Sequence, residues 1–197
     1  MKKKYGVIIL AAGGSSRLGR PKQLLAINHQ TLLERIVDSA IALDQGPVIV
    51  VLGSNANIIR ENLKNATIVV NKNWNYGMAS SIKTGLSELI KTESALEGII
   101  LTVCDQPYVT TSLLKDIIDL HEVKNLPIVA SSYDETIGTP VLFHHSLFSE
   151  LMTLEGDRGA KQLIMKDPGR VALVDFPEGN VDIDTEDDYQ KVKLQME

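Results

Sequence analysis

Compact apolar runs rich in Val and Ile recur along the chain at residues 7–11, 48–52, 68–70, 99–103 and 128–130. Short, continuously apolar runs of this kind predict strands buried on both faces, as in a parallel sheet. Between them the apolar positions change to three–four spacing: Leu32, Leu33, Ile36, Val37, Ala40 and Ile41, then Ile82, Leu86, Leu89 and Ile90, then Leu113, Leu114, Ile117, Ile118 and His121. That period predicts amphipathic helices. Strand alternating with helix predicts βαβ units with right-handed crossovers, and so an α/β fold on a mostly parallel central sheet. A last helix is predicted after Thr185, whose hydroxyl can cap it, with Asp188 three residues on as capping-box partner. Residues 131–169 break the rhythm. Gly138, Pro140, Gly156, Gly159, Pro168 and Gly169 predict loops and short elements there.

Composition narrows the classes. The chain has 197 residues, 44% apolar and 23% charged, which is globular and excludes a disordered or fibrous protein. One domain is the expectation at this length. Twenty basic against 25 acidic residues leave a net charge of −5, which argues against a general nucleic-acid binder, since counterion release needs a basic face. The single cysteine, Cys104, allows no internal disulfide and no cysteine-built zinc cluster. It is expected as a small buried apolar group. No apolar run reaches the roughly 18 residues of a membrane span. Lys2, Lys3 and Lys4 ahead of the apolar residues 6–12 have the look of an export signal. The apolar part is short, however, and the glycines and cations that follow offer a better use for it. A cytoplasmic protein is expected.

In open α/β sheets the ligand lies beyond the carboxyl ends of the strands, so the residues after each predicted strand come first. The first such stretch is Leu10-Ala11-Ala12-Gly13-Gly14-Ser15-Ser16-Arg17-Leu18-Gly19-Arg20-Pro21-Lys22. Glycines let a backbone approach phosphate oxygens closely, and successive N–H groups in such a turn form an anion nest. Arg17 and Lys22 add full charges suited to a polyphosphate. The dinucleotide fingerprint and the Walker pattern both fail here. After the 99–103 strand comes Cys104-Asp105-Gln106-Pro107. Mg²⁺ is held by one or two carboxylates plus substrate phosphates. Asp105 is therefore a metal-ligand candidate, its alternative being a helix cap, for which Thr110 and Thr111 are better placed.

Near the end, Asp182 and Asp184 alternate and share one face of an extended segment. Asp182 is a second metal candidate, and Asp184 is expected to help cap the helix; the competing reading is an acidic helix start. Gly53, and Asn71 with Ser80 and Ser81, also follow strands, and their polar groups suit a nucleotide base. Trp74 reads as a packing residue. Residues 138–143 and 156–161 are candidates for a second, anionic substrate, with solvated loop charges as the alternative. His144 and His145 are expected to point apart, which disfavours a paired metal site.

Together these segments resemble the MobA-like nucleotidyltransferases, and within them the molybdenum cofactor cytidylyltransferase branch. The likeness runs through residues 10–25, Asn71 with 74–81, 104–107, 138–143, 156–161 and 182–187, almost the whole chain in order. It implies a three-layer Rossmann-like nucleotidyltransferase fold, Mg²⁺ as cofactor, and transfer of CMP from CTP to the phosphate of molybdopterin with release of pyrophosphate. Arg17, Lys22 and Asp105 would be catalytic. Leu10, Ala11, Ala12, Gly13, Gly14, Ser15, Ser16, Gly53, Asn71, Ser80 and Ser81 would join them around the nucleotide. Gln106, Gly138, Pro140, Asp157 and Arg158 would meet the second substrate, and Asp105 with Asp182 the metal. Leu10-Ala11-Ala12-Gly13 is similar to the cytidylyl type, where the guanylyl branch has Leu-Ala-Gly-Gly. The chain departs from the pattern in lacking a proline after Thr185 and in carrying Lys161 where an arginine is usual. Transfer from GTP, or to a sugar or other polyol phosphate, are the alternatives, as is a module that binds nucleotide without turnover. Docking to a molybdoenzyme or an insertion chaperone is a further expectation; nucleic acid and membrane partners are not expected.

Overall fold

A computed structural model describes residues 4–61, 63, 66–157 and 159–197. The strands are β1 (Tyr5–Ala11), β2 (Ala26–Ile27), β3 (Gln30–Thr31), β4 (Val48–Leu52), β5 (Thr67–Val70), β6 (Gly98–Val103), β7 (Ile128–Tyr133), β8 (Thr136–His144) and β9 (Val171–Asp175). The helices are α1 (Leu32–Ala42), α2 (Ala56–Glu61), α3 (Met78–Thr92), α4 (Thr111–Lys124), α5 (Phe148–Met152), α6 (Lys161–Lys166) and α7 (Glu186–Met196). Seven strands form the central sheet in the order β5-β4-β1-β6-β8-β7-β9. All of its pairings are parallel except the two made by β8.

Alternation along the strands divides the core into two layers. Val7, Ile9 and Ala11 of β1 face α1 and α4, where Leu33, Ile36, Val37, Leu114 and Ile117 are buried. Ile8 and Leu10 face the opposite layer with Ile82, Leu86 and Leu89 of α3 and Ile164 of α6. Helix α3 lies close to the sheet because of Gly85: a Cβ there would stand 2.5 Å from Ile8 Cγ2 and 2.8 Å from Val51 Cγ2. A third cluster joins the β2–β3 hairpin to the C-terminus through Ile27, Leu32, Ile183, Tyr189 and Val192. This cluster holds the C-terminal segment against the loop after β1, and the Ile183 N–H donates to the Asp105 carbonyl beyond β6.

The helical stripes hold, though Ile41 and Ile90, at 40% and 39% exposed, sit on their outer margins. Thr185 and Asp188 form the full capping box of α7, and Thr110 caps α4 by accepting from the Leu113 N–H. Four expectations change. Strand β5 is a sheet edge with an exposed and half-buried pattern, not one buried on both faces.

The region 131–169 contains β8, nine residues long and central in the sheet, where loops were expected. Its apolar Val141, Leu142 and Phe143 are fully buried, while the breaker residues fall where pairing is interrupted. Ala130 pairs with Val141 and Ser131 with Gly138, so Thr139 and Pro140 occupy a bulge where no N–H is needed. Edge strand β9 also lies outside the predicted set.

Finally, His144 and His145 do not diverge. Strand β8 ends at His144 and a 3₁₀ turn begins at His145. The two-residue alternation therefore stops between them, and the ring centroids lie 4.0 Å apart.

Candidate active site

The loop after β1 is folded by its own polar groups. The Ser15 carbonyl accepts from the Leu18 and Gly19 N–H groups, both at 3.1 Å, and the Ser15 hydroxyl accepts from the Lys22 N–H at 3.0 Å. Gln23, 1% exposed, ties this turn to the strand by donating from Nε2 to the carbonyls of Ala11 (2.8 Å) and Gly13 (3.1 Å). Its Oε1 is buried without a partner. Arg20 holds the loop to α7 through both carboxylate oxygens of Glu186.

This arrangement brings the cations to the acids. Lys22 Nζ lies 2.8 Å from Asp105 Oδ2 and 2.6 Å from Asp184 Oδ1, and Arg17 reaches the other oxygen of Asp184 at 2.5 Å. Four charges therefore run Arg17–Asp184–Lys22–Asp105. They begin on a loop, cross to the segment before α7, and end beyond the carboxyl end of β6. Asp184 was expected as a cap, but its carboxylate is spent on the two cations, and the cap is made by Asp188. The alternation of Asp182 and Asp184 was the signal for this. Ile183 between them is buried and donates its N–H to the Asp105 carbonyl at 3.0 Å, so its two neighbours face the other way, toward the charges.

Electrostatics follow from crowding. Burial works against the Lys22 ammonium, but Asp105 and then Asp184 outweigh it and its pKa is raised. Partial desolvation opposes the Asp184 carboxylate likewise, but Lys22 and Arg17 hold it below the usual range. Asp182 makes no ion pair among the described residues, and the Lys22 charge offsets only part of what raises it. Desolvation on its inner side, then the charges of Asp105 and Asp184, push it up to about 6, although the residue keeps an open face to solvent. Burial pushes the Cys104 thiol up, which suits its expected role as an inert apolar group.

Of these groups Lys22, Cys104 and Asp105 line a cavity of about 460 Å³. Leu10, Ala11, Ala12 and Gly13 after β1, Gln23, and Trp74, Asn75, Gly77, Met78 and Ser81 around the start of α3 line it with them. Trp74 is 38% exposed and divides this cavity from another lined by Gly53 and Asn71. Gly53 leaves room for that indole, since a Cβ would meet Trp74 Cβ at 2.6 Å and the Ala12 carbonyl at 2.7 Å. Asn71 is buried. Its amide donates to Ser80 (2.8 Å) and Ser81 (3.0 Å) and its oxygen accepts from the Asn73 N–H. It therefore shapes the wall from behind.

A second cavity of about 200 Å³ adjoins the first through Leu10, Met78 and Asp157 and is lined by Gly138, Thr139 and Lys161. Gln106 supports it: its side chain bridges the Thr139 hydroxyl (3.0 Å) and the Gly179 carbonyl (2.8 Å). Pro140 is buried beside Thr139, and Arg158 lies outside the described residues.

A glycine turn and cation–carboxylate pairs gathered at the carboxyl ends of parallel strands define a protein that handles nucleoside triphosphates, and the class is that of the nucleotidyltransferases. The chain belongs to the MobA-like NTP transferase domain family, whose model matches residues 7–171. It is 31% identical over 189 residues to the nicotine blue oxidoreductase of Paenarthrobacter nicotinovorans, covering 90% of this chain and 91% of that one. It is 26% identical to the molybdenum cofactor cytidylyltransferase of Escherichia coli K12, with 94% of each chain covered. Among solved structures, Rv0371c from Mycobacterium tuberculosis superposes with a TM-score of 0.84 at 31% identity, covering 98% of this chain and all of that one. A complex of Rv0371c with manganese superposes at 0.78 and 29% identity, with 98% and 99% covered. Among the described residues, no helix is long and apolar enough to cross a membrane.

Proposed function

We propose that the chain transfers CMP from CTP to the phosphate of molybdopterin, with Mg²⁺ as cofactor and pyrophosphate as the second product. The observation that carries this reading is the run of charges from Arg17 to Asp105, whose Lys22 and Asp105 line a cavity together with residues 10–13 of the glycine loop. The donor set fits a divalent cation: Asp105 and Asp182 offer hard oxygen ligands, and desolvation, then the charge of Asp105, raises Asp182, an anion–anion repulsion that a cation relieves. The manganese complex of Rv0371c adds support. When bound, the cation supplies neutralisation of phosphate charge.

The chain's own residues do the rest. The backbone of residues 11–13 borders the phosphates, held in place from behind by the Gln23 amide. Lys22 and Arg17 exchange carboxylate partners for phosphate oxygens, Arg17 with the greater freedom because its side chain is 68% exposed. The acceptor enters from the Lys161 side, where Asp157 and Thr139 line the second cavity. Its phosphate oxygen forms a bond to the α-phosphorus as the bond to the bridging oxygen breaks. The attacking oxygen is already anionic near neutral pH, so no general base is needed. The cost to be met is repulsion between anions, and fixed cations meet it. Incubation with molybdopterin, Mg²⁺ and either CTP or GTP tests this, with products read by mass. The cytosine dinucleotide and pyrophosphate are expected; turnover with GTP alone, or only with a sugar phosphate, contradicts it.

The 31% identity to nicotine blue oxidoreductase favours a second reading, an oxidoreductase acting on nicotine blue in the same cavity. Turnover of nicotine blue, and no pyrophosphate with CTP, would put this reading first.

A further inference from the structure

At the opposite end of the sheet, Glu97 precedes β6, His144 ends β8 opposite Gly98, and His145 follows it. One ligating atom from each of the three side chains can be chosen so that all lie within 4.8 Å of one another. Six residues of β6 separate this cluster from Asp105, roughly 20 Å at about 3.3 Å per residue. It is thus a place of its own.

The His145 imidazole is oriented as a metal ligand is. His145 donates its backbone N–H to the Glu97 carbonyl at 2.9 Å, and its Nδ1 lies 3.2 Å from the same oxygen. A carbonyl can only accept, so Nδ1 carries the proton and Nε2 presents its lone pair. His144 Nδ1 lies 2.9 Å from the Ser146 hydroxyl, which can accept its proton, while Nε2 lies 3.8 Å from Glu97 Oε1. The Ser146 N–H also approaches Nδ1, at 3.3 Å, which favours the other tautomer in the metal-free protein. The ring of buried His121 backs that of His144 at 5.6 Å. Glu97 and His144 are half-buried and His145 is exposed, so a solvent ligand can complete the shell.

We propose that Glu97, His144 and His145 form a second metal site, for a first-row transition ion such as Zn²⁺, that clamps the start of β6 to the end of β8. Two imidazoles and one carboxylate suit Zn²⁺, whereas Mg²⁺ and Ca²⁺ prefer all-oxygen shells. Zinc bonds of about 2.0–2.2 Å require the ligand atoms to draw together, a movement within reach of side-chain rotation.

The test is calorimetric titration of Zn²⁺ into the intact protein and three variants, His145→Ala, His145→Asn and Asp105→Asn, with circular dichroism as the check on folding. Affinity is expected to fall at least ~10-fold in both His145 variants and to persist in Asp105→Asn. Zn²⁺ should raise the melting temperature of the wild type and of Asp105→Asn, but not of a folded His145 variant. Nucleotidyl transfer with Mg²⁺ should be unchanged in the His145 variants. Zn²⁺ binding that survives in a folded His145 variant, that is lost only in Asp105→Asn, or that is undetectable in the wild type overturns the proposal. In that case the three side chains are an ion-paired and hydrogen-bonded cluster only.

Discussion

The two ends of strand β6 carry opposite kinds of chemistry on one rigid element. Asp105, beyond the carboxyl end, sits among carboxylates and cations that neutralise one another across three segments. Glu97, at the amino end, sits with two imidazoles, its Oε1 lying 3.8 Å from His144 Nε2. The first end borders a cavity large enough for a nucleotide; the second is a surface cluster. A buffered set of opposite charges beside a cavity suits an anionic substrate that arrives with its own cation. A surface set of two imidazole nitrogens and a carboxylate suits a metal ion.

Substitutions at the carboxyl end should therefore abolish transfer and leave the other end intact. The largest effect is expected for Lys22→Ala and Asp105→Ala. Each should lower kcat by at least ~100-fold, by analogy with the loss of one preorganised charge, about 3–4 kcal/mol of barrier. Retention of fold is read by circular dichroism. Asp182→Asn should leave the fold alone and raise the Mg²⁺ concentration for half-maximal rate at least ~10-fold, which a metal titration of the rate reads. Arg17→Ala removes a more exposed charge and should lower kcat/KM for CTP about 10-fold, in line with roughly 1.5–3 kcal/mol for a hydrogen bond to a charged group.

Lys161→Ala should raise KM for the acceptor a few-fold, of order 1 kcal/mol for an exposed charge, without moving KM for CTP. The smallest effect, and one shared by both ends, belongs to Gly85→Ala. The added methyl meets two core side chains, a cost of about 1–3 kcal/mol. That outweighs the roughly 0.5–1 kcal/mol gained by removing a helix-interior glycine. Thermal denaturation should show a fall of a few degrees.

The same contrast explains what could be read before any coordinates. The parallel half was legible because a continuous apolar run and a 3.6-residue period are local properties, and β1, β4, β6, α1, α3 and α4 bury the residues those patterns select. Strand β8 was not, because its signals for interruption, Gly138 and Pro140, sit at a bulge whose harmlessness depends on which strands lie beside it. The loop cations and Asp105 were legible from position after a strand. Asp184 was misjudged because capping is a local option, whereas its partners Arg17 and Lys22 are more than 160 residues away in the chain. Gln23 gave no local signal at all, since its role is to hold the carbonyls of a neighbouring turn. His144 and His145 were misjudged because the rule of alternation fails where a strand becomes a turn.

The most direct measurement is pyrophosphate released per enzyme molecule from CTP in the presence of molybdopterin and Mg²⁺, for the wild type beside Lys22→Ala. Repeated turnover by the wild type and a rate at least ~100-fold lower in the variant are the predicted result. Equal rates from the two proteins, or no pyrophosphate from either, would contradict the account.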